Sequence, residues 1–483
     1  MTDLTLLFPT IFLAVWALVL LMYGAFGGSA RTTAAFACFG LAMLLVPMLT
    51  KPAMGSAFVL GQGALLGFSP FTQLAQVLLL VLAIPVALLA EPFFEGRKAH
   101  RAEIYTLMLL SLCGMFILTA AQDFLPMYMG LELMSFPLYI MAAMLRDRAE
   151  SSEAALKYFV LGGLASGLLL FGVGLVYAAT GTTQFASLMV ALGQGGMPWP
   201  LLSVGLALTV LAVLFKLSVV PFHMWTPDVY QGAPTPVTAF MAALPKLAAI
   251  VLLVRLLEGP LSGLQELWQP ALAVLAAASM VVGSVVAIRQ TDVKRLLAWS
   301  TIANVGFVLC GVVAASPQGH GGVLFYLAVY GLTMVGLFAV LIELENLQEP
   351  VTVHGLAGLA RRRPWLATML LMLLFSMAGV PPFAGFMAKL NVFAPLVAAG
   401  YTWLAVVGVM ASVVAAFYSL WLVKTMYFDV PSAEVAVVAK PVQSAQQSPL
   451  MLVALAAVAV VLVLGVLPGL LSNLTLPAAT ALF

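Results

Sequence analysis

The stretch Phe215-Lys216-Leu217-Ser218-Val219-Val220-Pro221-Phe222-His223 places a lysine and a proline inside a run of apolar residues. A second stretch, Ala378-Gly379-Val380-Pro381-Pro382-Phe383-Ala384-Gly385-Phe386-Met387-Ala388-Lys389, repeats this combination. Proline removes a helical hydrogen bond and clashes with the preceding turn, so an apolar helix should be interrupted at each place. In lipid, the freed carbonyls survive only where they face protein or a wet cavity. The two stretches therefore predict two discontinuous membrane helices, each with a lysine close to its break.

Apolar sequence surrounds these stretches along the whole chain. Of the 483 residues, 63% are hydrophobic and 8% are charged, with a mean hydropathy of +1.12. Soluble domains average about 45–50% apolar and about 25% charged residues. We therefore predict an all-α polytopic membrane protein, built as one transmembrane domain (1–483) in contact with the lipid bilayer. No patch for binding nucleic acid is present in the sequence.

Apolar runs of about 20 residues, the length that crosses a bilayer as a helix, predict about 14 transmembrane helices. We place them near 4–26, 32–50, 71–90, 104–121, 123–145, 157–179, 200–224, 236–256, 268–288, 295–315, 321–343, 366–398, 402–427 and 450–471. The two predicted breaks fall in the seventh and the twelfth of these spans.

Basic residues are distributed unevenly over the connections between these spans. Odd-numbered connections hold fifteen of the twenty: Arg31; Arg97, Lys98, Arg101; Arg146, Arg148, Lys157; Arg289, Lys294, Arg295; Arg361, Arg362, Arg363; Lys424 and Lys440. Even-numbered connections hold Lys51 and Arg255. Because basic loops stay in the cytoplasm, we expect both termini on the outer, periplasmic side.

With this orientation, the seventh and twelfth spans cross the membrane in opposite directions. Opposed discontinuous helices are typical of inverted repeats with a site near the midplane. We therefore predict two inverted five-helix repeats, at 104–256 and 268–427. They are preceded by N-terminal helices 1–3 (1–103) and followed by a C-terminal helix (450–483).

Four ionisable residues lie inside apolar spans: Lys216, Lys246, Lys389 and Glu132. A charge at the bilayer centre costs about 2.5–3.5 kcal/mol on insertion scales, and intramembrane charges usually mark ion or proton pathways. In the alternative interpretation, neighbouring carbonyls satisfy these lysines, which then only specify helix packing. A non-conducting scaffold of this kind belongs to a different functional class.

Motifs for other chemistry are missing from the sequence. The three cysteines stand singly inside apolar segments, so neither a disulfide framework nor a C-x-x-C cluster motif is available. The soluble loops carry no nucleotide loop, metal-ligand cluster or nucleophile–base pair. We expect no redox centre, bound cofactor or metal on this chain.

Five stretches carry a family resemblance: Glu132–Tyr139, Ser151–Phe159, Phe215–Pro234, Asp292–Ser300 and Ala378–Pro382. The chain resembles the antiporter-like proton-channel subunits of complex I, the respiratory NADH:quinone oxidoreductase, and within them subunit N. The lysine at position 389 resembles the residue that subunit N has there, whereas a sister subunit usually has glutamate at this position. The resemblance spans most of the chain.

The resemblance implies a chain of ionisable groups across the bilayer centre that translocates protons. Glu132 and Lys216 would form an ion pair, Lys246 would be the central relay, and Lys389 would lead to the next site. Asp123, Lys157 and His223 are weaker candidates. Asp123 can equally cap a helix, Lys157 suits an interfacial anchor, and His223 is either a relay or a structural histidine.

The resemblance also implies that NADH, FMN, iron-sulfur clusters and quinone are bound by other subunits of the complex. The implied partners are neighbouring antiporter-like and small membrane-arm subunits, and the implied location is a bacterial inner membrane. The nearest alternative is a subunit of a multisubunit Na⁺/H⁺ antiporter, which has no link to NADH oxidation. The partners of the chain would distinguish the two.

Overall fold

The computed structural model describes residues 4–50, 56–60, 63–97, 102–194, 198–431 and 448–482. Lys51, Lys98, Arg101 and Lys440, which contribute to the predicted orientation, lie outside these residues. Within the described residues, the chain is helical apart from one two-stranded hairpin and the connections. The fold is therefore the predicted all-α membrane class.

The first half of the chain forms α1 (Phe8–Ala25), α2 (Ala30–Thr50), β1 (Ser56–Leu60), β2 (Gly63–Phe68), α3 (Pro70–Glu95), α4 (Glu103–Ala120), α5 (Phe124–Ala142), α6 (Ala149–Thr180), α7 (Phe185–Gln194), α8 (Trp199–Leu217), α9 (Trp225–Gly232) and α10 (Thr235–Glu258). The second half forms α11 (Gln265–Ala287), α12 (Val293–Val313), α13 (Pro317–Asn346), α14 (Leu359–Arg362), α15 (Pro364–Ala378), α16 (Ala384–Ala398), α17 (Thr402–Phe428), α18 (Pro449–Val466) and α19 (Gly469–Thr480). Short 3-10 helices lie at Leu4–Leu7, Ser262–Leu264 and His354–Leu356.

Thirteen helices within the described ranges are long and apolar enough to cross a membrane. The predicted twelfth span is divided between α15 and α16, which have 15 residues each. The predicted last span also ends early, because α18 stops at Val466 and Pro468 precedes α19. Proline divides both apolar runs. The sequence predicted the discontinuity in the twelfth span but not the one in the last span.

Three helices form the centre of the domain. In their most apolar windows, α10 is 100% buried and α12 and α13 are each 94% buried, against 17% for α1 and 39% for α6 and α17. A helix that is apolar all round and buried all round belongs to the interior of a bundle. The exposed faces of the outer helices are rich in Leu, Val, Phe and Met, as lipid or a partner subunit requires.

An antiparallel hairpin, absent from the sequence-based prediction, connects α2 to α3. Ser56 pairs with Phe68 at its open end, and the register shifts at one point in β1. The Arg255 guanidinium on α10 donates hydrogen bonds to the Gly67 carbonyl of β2, at 3.1 Å, and to the Thr72 hydroxyl of α3. Arg255 is therefore a buried residue that holds the hairpin against the bundle, and the prediction that it lies in a loop was wrong.

The two proline-containing stretches interrupt the helices at matching points. The first break follows Ser218 (φ +65°), which ends α8, and α9 begins only at Trp225. The second break follows Gly379 (φ +85°), which ends α15, and α16 begins at Ala384. A left-handed residue just after a helix stops it from continuing. A cis peptide bond follows in each break, at Val220-Pro221 and Pro381-Pro382.

Ion pairs connect helices at the end of the domain where the odd-numbered connections lie. Arg97, after α3, pairs with Glu345 of α13 at 2.7 Å. Arg362 and Arg363 both pair with Glu349, which is 5% exposed. The arginine cluster therefore also binds a buried carboxylate, in addition to the orientation signal predicted from the sequence.

Candidate functional site: lysines at two broken helices

Lys246 of α10 points into the first break. Its ammonium donates hydrogen bonds to the Lys216 carbonyl at 2.9 Å and to the Ser218 hydroxyl at 2.6 Å. In a continuous helix, that carbonyl would accept from the amide of Val220. Here the Val220 amide donates to the Ser279 hydroxyl of α11 instead, at 3.0 Å. The interruption of α8 therefore frees a carbonyl, and the buried lysine occupies it.

Lys216 lies in the last turn of α8 and is 3% exposed. Its ammonium donates a hydrogen bond to the Tyr139 hydroxyl of α5 at 2.9 Å. It also lies 5.3 Å from the ring centre of Tyr139, 5.8 Å from that of Tyr158 and 6.0 Å from that of Phe215. Aromatic faces attract a cation at such distances. Three rings and one hydroxyl thus surround this ammonium.

Glu132 does not form the predicted direct ion pair with Lys216. The ion pairs of the described residues, with a limit of 4.0 Å, do not include this one. Glu132 lies seven residues before Tyr139 on the same face of α5, which is about 10.5 Å along the helix axis. One buried carboxylate oxygen of Glu132 accepts no hydrogen bond within the described chain. The hydroxyl of Tyr139 therefore takes the place at Lys216 that the sequence assigned to the acid.

The first break is closed by a tryptophan. The Trp225 ring lies 5.0 Å from the Lys246 ammonium, and its indole N–H donates to the Phe215 carbonyl at 3.0 Å. The Thr226 hydroxyl donates to the Ser218 hydroxyl at 2.5 Å. The start of α9 therefore binds the end of α8 across the break, and the Trp225 ring covers the Lys246 ammonium.

Lys389 of α16 relates to the second break as Lys246 relates to the first. Its ammonium donates a hydrogen bond to the Ala378 carbonyl at 2.7 Å and lies 4.6 Å from the ring centre of Phe307 of α12. A methyl group at Gly379 would lie 2.9 Å from the Lys389 side chain. Each half of the chain thus holds one buried lysine on a carbonyl that a broken helix has left free.

A buried polar cluster on α12, α13 and α17 lies beside the second break. The Tyr326 hydroxyl donates to the Asn304 side chain at 2.7 Å, and the Tyr418 hydroxyl donates to the Ser300 hydroxyl at 3.0 Å. Asn304 also lines a cavity of about 10 Å³ together with Tyr326, Ser376 and Ala388, the residue before Lys389. A volume of this order holds about one water molecule.

Sequence reasoning missed this polar cluster and Tyr139, although a periodic signal was present. Ser300 and Asn304 are four residues apart on α12, and Tyr326 and Tyr330 are four residues apart on α13. Polar residues at this spacing share one face of a helix. A search for polar faces inside apolar spans would therefore have found the cluster.

Asp123, a weaker candidate from the sequence, caps α5. Its carboxylate accepts hydrogen bonds from the Leu125 amide and from the Thr183 hydroxyl, each at 2.8 Å. A carboxylate at this position satisfies an amide that the first turn of a helix leaves unpaired. The geometry is that of the helix cap which the sequence left open as an alternative.

Lys157 and Asp228 belong to an ion-pair network at the end of the first break. Asp228 of α9 pairs with Lys157 of α6 at 2.7 Å and with Arg295 of α12 at 2.6 Å, and Lys157 also pairs with Glu153. Partial burial raises the pKa of Asp228, but hydrogen bonds from Lys157 and Arg295 outweigh it and hold the pKa below its usual value. The network anchors α9 to the helices on both sides.

His223 lies inside the first break, where its ring is 5.2 Å from the Trp299 ring of α12. Its buried Nδ1 has no hydrogen-bond partner within the described residues. Its place next to α12 is compatible with both interpretations of the sequence, a relay or a packed aromatic ring.

Among the residues that the structure describes, polar but uncharged groups surround the three buried lysines. Within the described chain, no ion pair with a limit of 4.0 Å involves Lys216, Lys246 or Lys389. Their described neighbours are carbonyls, hydroxyls and aromatic rings, which bind an ammonium and leave a neutral amine tolerable. No group of three or more His, Cys, Asp or Glu side chains that could hold a metal ion lies within the described ranges.

Comparison with known proteins places this geometry in a family. Residues 121–415 match the model of the NADH:quinone oxidoreductase/Mrp antiporter transmembrane family. The chain is 44% identical over 439 residues to the NADH-quinone oxidoreductase subunit N of Paramagnetospirillum magneticum, covering 89% of both chains. It is 38% identical over 478 residues to subunit N of Nitrosomonas europaea, covering 99% of this chain and 98% of that one.

Solved structures show the same fold. A chain of respiratory complex I from Thermus thermophilus superposes with a TM-score of 0.78 and 32% identity, covering 96% of this chain and 98% of that chain. A chain of the Mrp complex from Dietzia sp. superposes with a TM-score of 0.86, but its 24% identity shows the shared fold alone. The chain therefore belongs to the subunit N family of NADH-quinone oxidoreductase, respiratory complex I.

Proposed function

We propose that this membrane-arm subunit translocates protons along a path formed by Lys216, Lys246 and Lys389, with Glu132 as the acid that controls the first lysine. The observation that supports the proposal best is the hydrogen bond from the Lys246 ammonium to the Lys216 carbonyl. It brings two ionisable groups from different helices to one break in the middle of the domain. Ionisable residues at such positions inside a membrane usually mark ion or proton pathways.

The control of the first lysine rests on electrostatics. Two unit charges at 4 Å interact by roughly 4 kcal/mol at an effective dielectric constant near 20. Moving one proton against 100 mV costs about 2.3 kcal/mol. An approach of Glu132 to Lys216, and its withdrawal, therefore changes the free energy of the protonated amine on the scale that pumping requires. Electron transfer from NADH to quinone in other subunits would drive this motion.

The proton then passes from one buried ionisable side chain to the next. On withdrawal of Glu132, Lys216 releases a proton that neutral Lys246 accepts. The polar cluster of Asn304 and Tyr326 supplies hydroxyl and amide groups around a water-sized cavity that reaches Ala388, the residue before Lys389. Lys389 would take the proton from there for release or for coupling to the next subunit.

The remaining assignments follow from the same proposal. The chain lies in a bacterial inner membrane, with both termini on the outer side, and residues 104–256 and 268–427 act as two inverted repeats. Asp123 and Lys157 act as structural groups, and His223 is a secondary relay. NADH, FMN, iron-sulfur clusters and quinone bind to other subunits, and neighbouring membrane-arm subunits flank this one.

A Na⁺/H⁺ antiporter subunit is the second candidate, because the matching family model describes both NADH:quinone oxidoreductase and Mrp antiporter subunits. The subunits with which the chain assembles distinguish this candidate from a complex I subunit. Gently solubilised source membranes, run on a native gel stained for NADH dehydrogenase activity, should contain this chain in the stained band. Recovery only in a smaller, NADH-inactive band would support the antiporter.

The decisive variant is Lys216→Ala in the assembled complex, with Lys424→Ala as the control. Lys424 is also a lysine in a helix, but its side chain is 61% exposed and pairs with Asp429. We expect Lys216→Ala to lose most NADH-driven proton pumping while the complex still assembles, and Lys424→Ala to pump normally. Normal pumping by an assembled Lys216→Ala complex would contradict the proposal. Failure to assemble would favour the scaffold interpretation.

A further inference from the structure

A second pair of ionisable groups lies at the far end of α10, away from the lysines. Glu258 is the last residue of α10, and His320 lies in the first turn of α13. The Nε2 atom of His320 is 3.4 Å from the Oε1 atom of Glu258, and the two side chains are 0% and 15% exposed. Neither group has a part in the proton path proposed above.

The pair has access to water on one side. Glu258 lines a cavity of about 410 Å³ with the polar residues Ser69, Gln122 and Arg255, near the last residues of α19. The cavity lies at the end of the domain where α10 ends and α13 begins, which the distribution of basic residues assigns to the outer side. His320 is closed off behind Glu258, so the carboxylate is the member of the pair that meets the cavity.

The charges around the pair are few. Arg255 is the other charged residue that lines the cavity, and its guanidinium donates to the Gly67 and Ala121 carbonyls and to the Thr72 hydroxyl. The helices α7, α18 and α19 carry no charged residue, and the charges of α3, α4 and α12 lie at their opposite ends. The remaining charged groups on helices that contact α10, α13 or the connection between them are Lys389 of α16, Glu266 of α11, Glu132 of α5, Lys216 of α8 and Asp228 of α9.

A carboxylate facing an imidazole inside protein can hold one proton on either partner. With one proton, the pair is either an ion pair or two neutral groups, and neither state leaves a lone buried charge. A second proton leaves a buried imidazolium beside a neutral acid, and loss of the first leaves a buried carboxylate. Proton exchange with the cavity therefore changes the charge of the site.

We propose that Glu258 and His320 form a proton-binding pair through which the subunit exchanges protons with the aqueous phase on the outer side. The proposal rests on the proton translocation proposed above and adds its outward end. Glu258 lies twelve residues after Lys246 on α10, about 18 Å along the axis. A proton that leaves the relay passes to this pair, and Glu258 delivers it to the cavity.

The test uses the whole complex in proteoliposomes whose interior corresponds to the outer side. NADH-driven pumping is measured at a fixed external pH while the internal pH is varied, for the unmodified complex, Glu258→Gln and His320→Gln. The control is Glu266→Gln, an exposed acid in the first turn of α11 at the same end of the domain. We expect the internal pH that halves pumping to shift by about one pH unit in the Glu258 and His320 variants and to stay unchanged in the control.

A spectroscopic measurement distinguishes a proton-binding pair from a packing contact. The infrared difference spectrum between two internal pH values should contain a carboxylic acid band that disappears in Glu258→Gln and shifts in His320→Gln. Unshifted pH profiles together with an unchanged band would overturn the inference, as would failure of both variants to assemble. Loss of pumping in Lys216→Ala is independent of these results, so the proposed path and its outward end fail separately.

Discussion

The side chain of Lys246 binds the main chain of Lys216, and this contact joins two helices at the centre of the domain. The distance of 2.9 Å is that of a well-formed N–H···O hydrogen bond. Any displacement of α10 relative to the end of α8 changes the number of hydrogen bonds that the Lys246 ammonium makes. The position of the helix and the protonation of the lysine are therefore linked by one contact.

The second break repeats this relationship with different sequence. Lys389 lies on α16, the helix that directly follows its break, whereas Lys246 lies on α10, which is separated from its break by α9. The chemistry is the same in both cases, an ammonium on a carbonyl that a helix has left free. A repeat detected by sequence identity alone would miss this similarity.

Tyr139→Phe tests the hydroxyl that binds Lys216. A hydrogen bond to a charged group contributes about 1.5–3 kcal/mol, and 1.36 kcal/mol corresponds to one pH unit. We expect pumping by the assembled variant to fall at alkaline pH, with the alkaline limb of its pH profile shifted down by about one pH unit. Tyr158→Phe is the matched control, because its ring lies 5.8 Å from the same ammonium but its hydroxyl makes no hydrogen bond to it. Equal profiles for the two variants would contradict the assignment.

Gly379→Ala tests the space around Lys389. Gly379 has φ +85°, and an added methyl group would lie 2.9 Å from the Lys389 side chain. Gly400 has φ +87° but has no atom within 4 Å of the same added group. A left-handed alanine costs about 1–2 kcal/mol at either position, so both variants should lose a similar amount of thermal stability from the backbone.

The difference between these two glycine variants isolates the contact with Lys389. We expect Gly379→Ala to lower pumping several-fold and Gly400→Ala to leave pumping close to normal, measured as proton uptake per NADH oxidised. Equal pumping in both variants would show that Lys389 tolerates displacement.

Asp228→Asn tests the ion-pair network that anchors α9, through its pH dependence. A carboxyl whose pKa is lower in the folded state contributes stability above its unfolded pKa of about 3.9, and that contribution is lost as the pH falls through the folded value. The variant should therefore melt at a lower temperature than the unmodified complex from pH 8 down to pH 5. The difference should shrink only as the pH approaches about 4.

Tryptophan fluorescence during heating of the solubilised complex measures this difference, since Trp225 lies in the first turn of α9 and Trp299 packs near the same break. Glu153→Gln is a suitable comparison, because the Glu153 side chain is 64% exposed and, among the described residues, forms an ion pair with Lys157 only. A melting difference that is the same at pH 7 and pH 4 would show that the charge of Asp228 is not its cause.

Much of this architecture could be predicted from the sequence, because the bilayer imposes simple constraints. Apolar runs of helical length identify the membrane spans, and proline identifies the places where two of them are interrupted. A lysine in an apolar run is conspicuous because its burial is costly. Lys216, Lys246 and Lys389 were therefore recognisable as candidate functional residues before any contact was known.

The contacts of these lysines were decided by the tertiary structure alone. The sequence paired Lys216 with Glu132 because opposite charges attract. In the fold, the Tyr139 hydroxyl of α5 binds the ammonium instead, and Glu132 lies about two turns from Tyr139 along the same helix. The pair of Glu258 and His320 was equally invisible, since the two residues meet only because α10 and α13 lie side by side. Hydropathy fixes how deep a residue lies in the membrane, whereas the partner that faces it depends on the rotation and packing of whole helices.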